Sequence, residues 1–228
     1  MIGRDRIGRS LAELGIVVVG VMIALAADSW RESWVESREE SQYLERLRAD
    51  VSDGLAVLKN ERETYRAVKA ATSALMEFAD DNEPSLNAAA VVDLVVEATQ
   101  MGFGRNEMAS DVTYREMVQS GRLNLIQNQD VRKGIVAYYR NVDLMIEALT
   151  DLPLVNEWFA QQTGNYPIDV SRNGETLSAP DRDRLITALR DDVAVIENLR
   201  SLHGQTIFND RLFARLISQA EALLSLLE

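Results

Sequence analysis

The chain has 228 residues, 24 Lys and Arg against 36 Asp and Glu, one His, no Cys, and a formal net charge of -12. The lack of Cys excludes disulfides, thiolate metal sites, cysteine nucleophiles and iron–sulfur ligation, and a single His excludes a multi-histidine metal site. The acidic balance argues against a broad nucleic-acid surface, which needs a basic stripe to displace counterions, whereas a hydrophobic content of 46% is enough to build a core.

The N-terminus is the most informative segment. Residues 1–9 form a short basic stretch with Arg4, Arg6 and Arg9, followed by LAELGIVVVGVMIALAADSW. A helix over residues 10–30 is roughly 30 Å long, the hydrocarbon thickness of a bilayer, so the sequence predicts a single transmembrane anchor. Glu13 and Asp28 fall near its two ends, where a charge costs far less than at the midplane, and Arg9 lies four residues before Glu13 in pairing register. Trp30 and Trp34 at i, i+4 suit an aromatic anchor at the far interface. Gly20 and Ala24 have small-xxx-small spacing, which lets a second helix approach closely, so Glu13, Gly20 and Ala24 are the candidate contacts with other membrane helices. A cleaved secretory signal ending at Ala24-Leu25-Ala26 is the competing reading. The acidic residue ahead of the apolar run and the uninterrupted helical pattern beyond it favour a retained anchor. More basic residues precede the span than follow it, which places residues 1–9 in the cytoplasm and residues 31–228 in the periplasm of a bacterial cell, at the inner membrane.

Beyond the anchor, residues 29–78 predict one long helix with an apolar stripe at Leu44, Leu47, Val51, Leu55, Leu58, Tyr65, Val68 and Leu75, bent or interrupted near Gly54. A turn containing Pro84 follows, with Ser85 as the expected cap of a helix over 86–100. Gly102 and Gly104 mark a loop without the remaining features of a nucleotide-binding motif. A helix opened by Ser110 is expected to stop at Gly121 in a left-handed conformation, and Asn128 to cap a helix running to a kink at Pro153, with LVNEWFAQQ as its continuation. Residues 164–179 read as irregular. Ser178 and Pro180 begin a last helical region with Leu185, Leu189, Val193, Ile196, Leu199, Leu202, Ile207, Leu212, Leu216 and Leu223 on its apolar side, bent or divided at Gly204.

Two blocks carry a resemblance. The first is ELGIVVVGVMIALAADSW followed by YLERLRADV, with Glu13, Gly20, Ala24, Trp30, Tyr43, Leu44, Leu47 and Asp50. The second is TYREMVQSGRLNLIQNQDVRKGIVAYY, with Thr113, Tyr114, Ser120, Gly121, Leu123, Ile126, Asn128, Arg132, Tyr138 and Tyr139. Together they resemble a bacterial family of short, membrane-anchored helical proteins described as a domain of unknown function. The resemblance implies a single-pass anchor and an extracytoplasmic helical domain, and it implies no reaction.

No GxSxG, P-loop or HExxH motif is present, and Glu197 lies six residues before His203, outside the E-x-x-H spacing of a metal pair. The sequence therefore predicts an all-α protein with no catalytic residues, metal or cofactor. Its N-terminal transmembrane helix continues into an extracytoplasmic antiparallel helical bundle. The expected partners are the lipid bilayer and other membrane proteins or a second copy, without nucleic acid. A periplasmic sensor bundle that binds a small ligand is the alternative, and a membrane-anchored hydrolase ranks behind both.

Overall fold

The computed structural model of the chain describes residues 4–80, 86–98, 110–150 and 179–228, with side chains from Val18 onward and excepting those of Thr150 and Asp181. Among the described residues the structure is all-α. The first helix, α1 (Arg4–Asp80), has 77 residues and is about 115 Å long. It runs without a break through Gly54, contrary to the bend expected there. Gly54 is buried in the packed part of the helix, where close packing offsets the roughly 1 kcal/mol that a helical glycine costs.

The bundle begins at Tyr43, the first buried side chain among the described ones of α1. From there Leu47, Val51, Leu58, Tyr65, Val68 and Leu75 face inward at intervals of three, four and seven residues, as the stripe predicted. Opposite them lies the 34-residue α6 (Val193–Leu226). Its direction is fixed by pairs along its length: Arg200 with Asp80 at 3.8 Å, Arg62 with Asp210 at 2.7 Å, Lys59 with Glu221 at 2.8 Å and Arg48 with Glu228 at 3.7 Å. Residue numbers fall on one helix as they rise on the other, so the two are antiparallel. Tyr65 and Phe213 meet across this interface with ring centroids 5.0 Å apart.

The remaining helices cover the two ends of this pair. α2 (Ala88–Ala98) and α5 (Ala179–Asp191) pack on the distal half, where the Arg190 guanidinium lies 4.8 Å from the Phe78 ring centroid. α3 (Val112–Gln119), a 3-10 turn (Arg122–Leu125) and α4 (Gln129–Thr150) occupy the proximal half. Asn141 donates to Gln219 at 2.9 Å, and a side chain at Gly134 would meet Leu223 and Leu226 at 3.3 Å. α4 is therefore antiparallel to α6, and its glycine allows the close approach.

Caps and breaks correct the sequence reading in three places. Asn87 caps α2, its Oδ1 accepting from the Ala90 N–H at 2.9 Å, whereas Ser85 lies outside the described residues. The last helical region divides at Asp192, whose carboxylate accepts from the Ala194 and Val195 N–H groups at 2.9 and 3.4 Å. Gly204 lies inside the continuous α6, and Val193 is exposed because it sits beside the cap. Two other expectations agree with the structure: Gly121 adopts φ +71°, and Asn128 caps α4 through the N–H groups of Asp130 and Val131. The Gly102–Gly104 loop, the LVNEWFAQQ continuation and the irregular 164–178 stretch lie outside the described residues.

Among the described residues no helix is long and apolar enough to cross a membrane. The side chains of residues 10–17, the first half of the predicted anchor, are not among them.

Candidate interaction surfaces

Three surfaces bear on function. The first is the protruding part of α1. Val18, Val19, Val21, Met22, Ile23 and Leu25 are 49% to 65% exposed and cover a little over half of the helix circumference, and Gly20 and Ala24, exposed as well, occupy the rest. A Cβ built on Gly20 meets nothing within 4 Å. Trp30 and Trp34 are exposed at 76% and 58%, and the Arg38 guanidinium lies 5.7 Å from the Trp34 ring centroid. Positions 13, 20 and 24 fall within about 40° of one another at 100° per residue, so helical register sets Glu13, Gly20 and Ala24 on one face. The side chains of Arg9 and Glu13 lie outside the described residues.

The second surface is the proximal junction, where the two sequence blocks meet. Glu116 on α3 accepts from the Tyr43 hydroxyl at 2.9 Å and from Arg46 Nη2 at 2.5 Å. Those hydrogen bonds, Arg46's first and Tyr43's second, hold its carboxyl below the usual range. Asp50 accepts from the Thr113 N–H at 3.3 Å, covering the start of α3. Glu39 pairs with Arg122 at 2.7 Å, and Glu40 accepts from the Gln127 N–H at 2.7 Å. Tyr114 and Tyr139 stack at 4.4 Å with an interplanar angle of 5°, and Tyr138 meets Tyr139 edge-on at 5.1 Å. Burial pushes the Tyr138 hydroxyl up to about 12 and raises that of Tyr139 further. The motif residues therefore clamp α3 and α4 onto α1 where the bundle begins. The carboxylates of Glu39 and Glu40 find partners because the Gly121 turn folds the 3-10 segment back over them.

A polar layer lies deeper in the bundle. His203 Nδ1 and Thr72 Oγ1 are 3.0 Å apart and share a hydrogen bond across α1 and α6. Burial, followed by the Glu61 charge, pushes Tyr65 up to about 12, against the opposing influence of the Asn209 amide. Asn209 itself is fully buried, and neither polar atom of its side chain reaches hydrogen-bond geometry. Asp210 is pulled two ways. Burial raises its carboxyl, but the bond from Arg62 and the charges of Arg62 and Arg66 outweigh that and leave it lowered.

The third surface is a trough on the outer side of α4. A concavity of about 600 Å³ is lined by Arg132, Lys133, Val136, Arg140, Asn141 and Leu144, with Leu123 and Ala137 completing it. A second concavity, of about 180 Å³, shares Asn141 and Leu144 and reaches Arg215 on α6. None of the described lining residues is acidic. Its cations Arg132, Lys133 and Arg140 lie within nine residues of α4, and the structure adds that the apolar Val136 and Leu144 between them are left exposed. Among the described residues no group of three or more His, Cys, Asp and Glu side chains could hold a metal ion.

No family model matches this chain, and no curated protein and no solved structure matches it either.

Proposed function

We propose that the chain is a non-catalytic accessory protein of a bacterial inner membrane, a subunit or partner within a larger membrane assembly. The helix over 10–30 anchors it, residues 1–9 remain in the cytoplasm, and the bundle of residues 31–228 stands in the periplasm. Glu13, Gly20 and Ala24 face other membrane helices, while Arg9, Trp30 and Trp34 mark the two interfaces.

The observation that carries this reading is the exposure of Val18 to Leu25 on every side of one helix. A helix that is apolar all round belongs in a core or a bilayer, and among the described residues no core reaches this one. Left in water, six such side chains forgo on the order of 10 kcal/mol of burial free energy. The segment also passes without a break into a helix packed along the whole bundle, so whatever holds residues 10–30 is coupled rigidly to the periplasmic domain. The family resemblance of the two sequence blocks points the same way.

The test is fractionation of cells producing the full chain, with mass measurement of the N-terminus and gentle detergent extraction. The reading expects an intact N-terminus, retention in membranes after alkaline wash, and co-extraction of stoichiometric partners that Gly20→Leu weakens. A soluble chain beginning near Ala27 would overturn it and make screening for a small ligand of the bundle the next step.

A further inference from the structure

The trough on α4 is not used by the anchor or by the bundle's own packing. We infer that it is a docking groove for an acidic amphipathic helix of a partner protein. This inference rests on the accessory-protein reading and names the chemistry of the partner.

The argument begins with charge. In a chain of net charge -12, the trough gathers Arg132, Lys133 and Arg140, and Arg215 lies on the smaller concavity beside it. Lys133 has Asp130 at 4.0 Å, and Arg132, Arg140 and Arg215 make no ion pair among the described residues. Asp143 and Glu147 follow on α4 but do not line the concavity. Between the cations lie apolar side chains left uncovered, Val136 at 37% and Leu144 at 50% exposure. Residues 132, 136, 140 and 144 repeat every four positions, so cation and apolar group alternate along one helical stripe about 18 Å long. An occupant that satisfies both is apolar on one side with carboxylates beside it.

Shape and position then separate the candidate occupants. Among the described residues Val136 and Leu144 stay exposed along the stripe, an arrangement that suits the apolar face of a helix laid against it. Membrane lipids are out of reach. The Gln127–Glu40 bond sets the start of α4 level with residue 40, about 15 Å beyond Trp30 along α1, and the trough begins farther out. A two-fold contact between copies would set cations against cations, which is repulsive.

The experiment titrates the full chain in detergent with three fluorescent synthetic helices that share one Leu face, flanked by Glu, by Lys, or by Ser. Expected are preferential binding of the Glu helix, weakening with added salt, and at least tenfold weaker binding to the double variant Arg132→Glu, Arg140→Glu. That variant should in turn prefer the Lys helix. Both side chains lie on the outer face of α4, and an unchanged melting temperature checks that the fold survives. Equal binding of the three helices, no binding of the Glu helix, or unchanged affinity in the double variant overturns the inference. Displacement of the Glu helix by a dispersed anionic lipid at lower concentration than by unlabelled Glu helix assigns the trough to lipid, and also overturns it. Failure here with the anchor still in the membrane removes the groove alone, whereas a soluble, truncated chain removes the accessory reading first.

Discussion

The two halves of α1 are one continuous helix built for two different surroundings. From Val18 to Arg38 no described side chain is buried, and the residues are apolar all round until charge takes over after Ala27. From Tyr43 to Phe78 the buried positions form a single stripe, with charged residues on the remaining faces. Identical backbone geometry therefore says little about environment, and the distribution of apolar side chains around the axis says most. In the second half, α6 and the proximal helices supply the partner. In the first half the described residues supply none, and the proposed reading assigns that role to the bilayer.

The largest effect that sharpens this contrast is removal of residues 10–30. Membrane retention is expected to disappear completely, while the bundle keeps its melting temperature within a few degrees, because no bundle contact is lost. Next comes Leu47→Ala, at a position with no exposed surface. It is expected to cost about 2–5 kcal/mol in chemical denaturation and to leave membrane retention unchanged. Each substitution thus acts on one half of the helix alone.

A smaller effect of opposite sign is expected from Asn209→Leu. Among the described residues neither amide atom reaches hydrogen-bond geometry, although the amide lies near enough to Tyr65 to oppose the rise of its hydroxyl, so an apolar side chain of similar volume should raise stability by at most about 1 kcal/mol. Destabilisation by this change would mean that Asn209 holds a partner that its geometry does not reveal. The smallest effect is on the pH dependence of stability. The folded-state carboxyls of Glu116 and Asp210 lie below their ordinary values, so the native state binds these protons more weakly than the unfolded chain. Their contribution is complete above about pH 5 and is lost as pH falls through roughly 4 and below. Glu116→Gln and Asp210→Asn should each flatten the acid side of a melting temperature against pH profile, lowering the melting temperature modestly at neutral pH and changing little in acid.

The all-α fold and the stripe of α1 were legible because apolar residues there recur at helical spacing with few exceptions. The ends of elements were less so. Asp192 outcompetes Gly204 as the dividing point because a carboxylate that satisfies two free N–H groups ends a helix more decisively than a glycine that is only permissive. The core of α6 was partly hidden. Thr206 and Asn209 take buried positions that a hydrophobic pattern assigns to neighbours such as Ile207, and only the opposing helix reveals which face is inside. The proximal junction was visible as two motif blocks but not as a contact, since Glu116 and Arg46 are 70 residues apart. The trough, by contrast, is local to α4, and what the sequence did not show was that Val136 and Leu144 face outward.

The most direct measurement uses the absence of native cysteines. Single substitutions Met22→Cys and Ser37→Cys are exposed, in separate samples of intact and of detergent-treated membranes, to a thiol reagent that cannot cross a bilayer. Met22 is 65% exposed, so none of the described residues shields it. The account predicts that Ser37→Cys reacts from the periplasmic side, whereas Met22→Cys stays protected until detergent removes the bilayer. Equal labelling at both positions without detergent would mean that water surrounds the apolar half of α1, and would contradict the anchor.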